Sequence, residues 1–347
     1  MIAAQALATP TSAGAASQHP FISIVVPTFN RAAVLPYLLA ALARQTYPSG
    51  RMEVIVVDNS STDDTEDVIR RWQAVVPFAL SFHRKENRGP AASRNYGAAR
   101  ATGDFIAFTD SDCLPASNWL ARAANALTRG AGIVCGPIVP RRRDGAPGLM
   151  AAQLEGIGAD RGTYPTANLF VRRAAFQAVG GFDESFGLYP WGELVAGEDA
   201  DLAWRLKRKG ESAVFLQDVV VDHLSTRISP AQLLLRPVRV RIFPRLLRTI
   251  PELRHTYLWG RVFLARPRIY YHLAWIGVLA ALLIPSWLPL LAIVPWLVSH
   301  SRGTVMSMLR RGQVAKGVTW LLAIAWFETL TTLALLAGSV RYRRLVL

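Results

Sequence analysis

Four short apolar runs, each ending in polar residues, constrain this chain more than any other feature. Phe21–Pro27 (FISIVVP), Val54–Val57 within MEVIVVDNSSTDDT, the weaker ALSFHR (79–84) and Phe105–Phe108 within DFIAFTD read as strands. Between them, AAVLPYLLAALARQ (32–45), TEDVIRRWQAV (65–75) and PAASRNYGAARAT (90–102) carry helical spacing. Strand and helix alternating over short links predict a doubly wound, mostly parallel sheet. Ligands of such sheets sit beyond the carboxyl ends of the strands. Here those ends carry Pro27-Thr28-Phe29-Asn30, Asp58-Asn59-Ser60-Ser61 and Asp110-Ser111-Asp112, which should converge on one rim.

Residues 113–226 continue less regularly. NWLARAANAL (118–127) predicts a helix, GIVCGPIV (132–139) a strand and RRRDGAPG (141–148) a basic loop. TANLFVRRAAFQAVGGFDESF (166–186) predicts strand, helix and a Gly-Gly turn. GEDADLAWRLKRKG (197–210) reads as a capped helix stopped by Gly210, and SAVFLQDVVVDHL (212–224) as one final strand ending at His223. Two cysteines, Cys113 and Cys135, form no disulfide framework and no zinc pattern, and are expected as buried thiols. Residues 1–20, rich in Ala, Ser and Thr, make a poor signal peptide and are expected as a flexible tail.

The formal charge of +15 invites a nucleic-acid reading, but its distribution argues against one. After residue 235 lie 16 of the 39 Lys and Arg but only two of the 24 Asp and Glu, Glu252 and Glu328. The same region holds the long apolar runs, a pairing that fits a membrane surface and interior. Residues 227–270 interleave Arg with Leu, Val, Ile, Phe and Trp, and are expected to lie on anionic lipid as a basic amphipathic juxtamembrane segment. Residues 271–347 are expected to form a transmembrane region of two or three helices. Within it, 273–299 carries no charge, 318–340 carries only Glu328, and Pro285 and Pro289 could break the first run into a hairpin. Charge bias does not fix the topology. Glu328 could serve function, helix packing or an interfacial position.

Two carboxylates one residue apart at a strand end, Asp110 and Asp112, can face one hard cation. Oxygen ligation suits Mg²⁺ or Mn²⁺, ions that leave room for substrate phosphates. Over residues 21–225 the chain resembles the family 2 glycosyltransferases of GT-A fold, through five blocks in order. SIVVPTFNR resembles the first strand and nucleotide loop, which implies Pro27, Thr28 and Asn30 as donor contacts. VIVVDNSSTDDT resembles the second strand, whose terminal acid, Asp58, is implied to hold the nucleotide base. NRGPAASRNYGAARATGDFIAFTDSD carries Arg94, implied to face the nucleotide, and Asp110 and Asp112, implied to meet ribose and metal. VGGFDESF resembles an acceptor-side loop, in which Asp183 and Glu184 touch acceptor or order the loop. GEDADLAWRL resembles the catalytic acidic motif. His223, placed where a metal-completing histidine often stands in this family, is an implied third ligand. Asp222 beside it should alternate away.

The resemblance implies an α/β GT-A-like domain over 21–226 and direct displacement with inversion, so one carboxylate must take the acceptor hydroxyl's proton. Helical spacing favours Asp199, on one face with Leu202, Ala203 and Leu206 and in a first turn where the macrodipole favours its ionised form. It places Glu198 with Asp201 and Arg205 on a more polar face, in support. The expected reaction moves sugar from a nucleotide-diphosphate donor to a hydroxyl, with a lipid or lipid-linked glycan acceptor, at a multi-pass cytoplasmic membrane with the catalytic domain cytoplasmic. The expected partners are donor, acceptor and anionic lipid, with no nucleic acid. A Gln-x-x-Arg-Trp processivity motif is absent, which favours single addition. Of the alternatives, a sugar-phosphate nucleotidyltransferase would want a Gly- and Lys-rich phosphate loop, and PTFNRAAVLP is not one. A non-catalytic membrane scaffold would not need acids at 110, 112 and 199.

Overall fold

The computed structural model describes residues 19–141, 156–186, 197–224, 229–265, 267–300 and 305–347. Nearly all of the N-terminal tail, and the basic loop beyond Arg141, lie outside the described residues. In chain order the first half runs β1 Ile22–Thr28, α1 Leu35–Ala43, β2 Met52–Asp58, α2 Thr65–Gln73, β3 Ala79–Arg84, α3 Pro90–Ala98, β4 Phe105–Phe108, β5 Cys113–Pro115 and α4 Trp119–Thr128. There follow β6 Ile133–Cys135, β7 Ile138–Arg141, β8 Leu169–Arg172, α5 Arg173–Ala178, α6 Glu198–Arg208, β9 Ala213–Phe215 and β10 Val221–Leu224.

Seven strands form one sheet in the order β3-β2-β1-β4-β8-β6-β9. The first four are mutually parallel, and β8 runs antiparallel to both β4 and β6. The apolar runs are continuous because both faces of this sheet are covered. Ile24, Val26, Val54 and Val56 pack under α1, α2 and α4, while Val25, Ile55, Val57, Ile106 and Phe108 pack against residues of α3, α5 and α6.

Two expected single strands are each divided between sheets. GIVCGPIV becomes β6 in the large sheet and β7 in a small one of order β5-β10-β7. Gly136 makes the break: a Cβ there would lie 2.1 Å from the Val219 carbonyl oxygen, so the chains can cross only at glycine. The final run likewise splits into β9 and β10 around a turn in which the Val219 amide donates to the Leu216 carbonyl at 3.2 Å.

The C-terminal third holds α7 Pro230–Leu235, a 3₁₀ turn over Arg236–Ile242, α8 Phe243–Thr249, α9 Leu253–Tyr257, α10 Arg268–Leu283, α11 Val294–His300, α12 Met306–Arg310 and α13 Val314–Tyr342. The expected amphipathic segment is therefore several short helices. Part of its apolar side is taken by protein, with Leu246, Leu247, Ile250 and Leu253 buried with Ala200 of α6 and with Leu335 and Val346, while Leu234, Leu235 and Trp259 stay exposed. The run 273–299 is broken near its prolines into two short apolar helices, Arg268–Leu283 and Leu288–His300. Among the described residues one helix, α13, is long and apolar enough to cross a membrane. Glu328 has a partner, Arg268 at 2.6 Å, and Arg268 also donates to Thr332 at 2.8 Å.

Candidate active site

Parallel register sets Thr28 beside Asp58 and aligns β4 with β1, so three strand ends share one rim. Past β4 the chain turns, with the Cys113 amide donating to the Asp110 carbonyl at 3.1 Å, and enters β5. β5 pairs antiparallel with β10, which places His223 opposite Cys113. Ligand atoms of Asp110, Asp112, Cys113 and His223 consequently lie within 4.8 Å of one another. His223 Nε2 is 3.5 Å from Asp112 Oδ1, and its Nδ1 is 3.3 Å from the Leu224 carbonyl oxygen. With its proton on Nδ1, toward that carbonyl, His223 would present the Nε2 lone pair to a cation shared with Asp112. Asp222 alternates away and pairs with Arg141 at 3.0 Å.

The donor set fits a hard divalent cation. Burial, reinforced by both aspartates, pushes the Cys113 thiol well above its ordinary range, so it stays protonated and packs as a small apolar group. Two carboxylates and an imidazole remain. Burial also holds the Asp112 carboxyl above the usual carboxylate range, against the pull of His223 and Arg31. A bound cation would favour its ionised form. Arg31, which the sequence did not single out, has Nη2 3.6 Å from Asp112 Oδ2. Its only sequence signal is a cation directly after the PTFN loop.

Arg94 joins this cluster to the acids of α6. It is 4% exposed, and its Nη2 donates to Asp110 Oδ1 at 2.8 Å while its Nη1 donates to Glu198 Oε1 at 2.9 Å. Glu198 therefore faces the rim, which corrects its expected grouping with Asp201 and Arg205. Those two pair with each other at 2.8 Å. The physical reason is position: side chains of a first helical turn lean back past the N-terminus, here toward Arg94. Asp199 is half-buried, and its Oδ1 accepts from the Ala200 amide at 2.8 Å. Its carboxyl is pushed up to about 7, first by burial and then by the charge of Glu198. These outweigh the helix dipole that was expected to keep it ionised.

Asp58 is fully buried. Its two oxygens lie 3.2 and 3.1 Å from the Ser61 amide, the Ser61 hydroxyl donates to Oδ1, and Arg84 Nε lies 3.9 Å from Oδ2. This is the geometry of an Asx turn, and it holds the carboxylate against its own loop. Next to it, Asn59 Oδ1 accepts from the Ser93 hydroxyl at 2.6 Å. Asn30, exposed and at φ 52°, accepts from the Thr62 amide at 2.8 Å and ties the first two strand-end loops together. Pro27 is buried in β1, and Thr28 Oγ1 and Arg94 Nε are buried on this rim side without a protein partner among the described residues.

Comparison with known proteins bears on the family and the fold. The Glycosyl transferase family 2 profile matches residues 23–176, and the Glycosyl transferase family group 2 profile matches residues 105–337. Glycosyltransferase AglE of Haloferax volcanii is 30% identical over 214 residues, covering 60% of this chain and 68% of that protein. Validoxylamine A glucosyltransferase of Streptomyces hygroscopicus subsp. jinggangensis is 33% identical over 232 residues, but the match spans only 54% of its length. Among solved structures, mannosyltransferase PcManGT from Pyrobaculum calidifontis, in complex with GDP-Man and Mn²⁺, superposes with a TM-score of 0.55 at 23% identity, over 94% of this chain and 87% of that one. Residues 1–349 of S. aureus TarS, in complex with UDP, give 0.51 at 18% identity over 93% and 89%. These structural likenesses bear on fold alone. The family profiles together with the AglE match establish the rest: this chain is a family 2 glycosyltransferase of GT-A fold.

Proposed function

We propose that this chain transfers a sugar, with inversion, from a nucleotide-diphosphate donor to a hydroxyl acceptor. The observation that carries the reading is that Asp110, clustered with Asp112 and His223, is bonded through Arg94 to Glu198, which joins a group of side chains suited to a cation to the start of α6. Asp110, Asp112 and His223 are the residues that would hold Mg²⁺ or Mn²⁺. A cation bound there supplies Lewis-acid stabilisation of charge growing on the leaving diphosphate. Arg94 keeps Asp110 oriented and adds a fixed, buried positive charge beside it. Thr28, Asn30 and Arg31 line the donor side, and Asp58 shapes the loop that receives the nucleotide. Asp199 takes the acceptor proton, for which a carboxyl near 7 is well matched at neutral pH.

The acceptor is a lipid or lipid-linked glycan, and residues 21–226 work at the cytoplasmic face of a membrane entered by residues 271–347. Support comes from α13 and from large apolar side chains left in the open, among them Leu282, Leu283, Trp287 and Leu322 at 66–85% exposure. Anionic lipid would complement the basic residues after 235. Product analysis tests the reading: nucleoside diphosphate plus a glycosylated lipid supports it, and pyrophosphate would mark nucleotidyl transfer instead.

A further inference from the structure

We propose that Arg245 is an acceptor-side positioning residue, through which the C-terminal region sets the loop 181–186 and the start of α6. The proposal rests on the glycosyl-transfer reading above and assigns a role in it to a part of the chain outside the sheet domain.

The loop GGFDESF is gripped from three elements. From α3, Asn95, the residue after Arg94, donates to the Phe182 carbonyl at 2.9 Å and to Glu184 Oε1 at 3.1 Å, and accepts from the Phe182 amide at 2.8 Å. From α6, Arg205 donates to the Val179 and Gly181 carbonyls at 2.8 and 2.7 Å. From α8, Arg245 donates to Asp183 Oδ2 at 3.1 Å, to the Ser185 carbonyl at 3.2 Å and to the Ser185 hydroxyl. The Arg245 guanidinium also lies 3.8 Å from the centre of the Phe186 ring. That ring is buried with Ile242 and beside Tyr342.

The same contact reaches the acids of α6. Gly197, at φ +115°, caps α6 immediately before Glu198 and Asp199. A Cβ there would lie 3.2 Å from Phe186 and 3.3 Å from Leu246, so the helix start is wedged between the loop and α8. Asp183 is therefore spoken for: its Oδ1 caps the Ser185 amide at 2.9 Å and its Oδ2 takes Arg245. Of the two roles open to Asp183, ordering the loop is the one this geometry carries. Among the described residues Arg245 has no bond to Asp110, Asp112 or His223 and meets that cluster only through Phe186, Gly197, Glu198 and Arg94, so the loop it bonds directly should respond most.

The test uses the full chain in nanodiscs as wild type, Arg245→Ala and Arg245→Lys. Hydrogen exchange is followed in peptides covering 181–186 and 105–115. Nucleoside diphosphate release from GDP-mannose and UDP-N-acetylglucosamine with Mn²⁺ is measured with and without vesicles of total membrane lipid. Arg245→Ala should speed exchange in 181–186 by about tenfold or more, leave 105–115 unchanged, and cut lipid-stimulated release by about tenfold while lipid-independent release holds within about twofold. Lysine restores one charged bond but not the fork, so it should rescue part of each effect. Unchanged exchange in 181–186 would overturn the proposal, as would a parallel fall in both release rates. Absence of any release from the wild type would instead count against glycosyl transfer, and the exchange result alone would then decide the role of Arg245.

Discussion

Asp199 and Glu198 are neighbours in sequence and differ in circumstance. Glu198 is tied to Arg94, whereas the Asp199 carboxyl has no cationic side chain bonded to it among the described residues and is raised to about 7. Only the ionised carboxylate accepts a proton. Turnover should therefore rise with pH through about 7 and level off above it, and a pH–rate profile of the wild type checks this. Glu198→Gln should hurt donor binding as well as rate, because it loosens Arg94 and hence Asp110; donor affinity by calorimetry distinguishes this from loss of a base. Asp112→Asn should raise the Mn²⁺ concentration for half-maximal turnover by about tenfold or more, because an amide carries no charge for a hard cation. Metal titration of the variant reads that directly. Acid identity and strand-end position were legible in the sequence. The partner of Glu198 was not, because Arg94 lies 104 residues away and no local spacing encodes that distance.

At the scale of elements, the strands and helices of the first half follow from period and composition, since a strand covered on both faces leaves a continuous apolar run. The divided strands did not follow. GIVCGPIV has uniform β character, and only the approach of the 216–219 turn makes Gly136 a crossing point. Gly136→Ala should destabilise the fold by about 1–3 kcal/mol through forced backbone displacement, measurable as a lowered thermal midpoint. The hairpin of α10 and α11 was partly legible from Pro285 and Pro289. The Arg268–Glu328 pair that fastens α10 to α13 needed the packing itself.

Over the whole molecule, charge divides the chain at about residue 235, but packing does not. The basic segment reads as a lipid-facing anchor because, just ahead of the long apolar runs, it interleaves Arg with apolar residues. Four of them, Leu246, Leu247, Ile250 and Leu253, instead complete a core with Ala200. Burial of each is worth about 1.5–3 kcal/mol. A chain cut after residue 235 should therefore lose the support of α6 and melt earlier or aggregate, whereas the charge boundary alone would predict a stable soluble domain. Size-exclusion chromatography and thermal melting of the truncated chain decide between them.

The most direct measurement is product analysis with the full chain in membranes, supplied with UDP- and GDP-sugars, comparing wild type with Asp199→Asn in Mn²⁺ and in EDTA. The expected result is nucleoside diphosphate and a glycosylated lipid of inverted anomeric configuration. Both should disappear in EDTA, and Asp199→Asn should slow their formation by about 10²–10⁴-fold with donor affinity retained. Full turnover in EDTA, release of pyrophosphate, or an Asp199→Asn rate equal to wild type would contradict it.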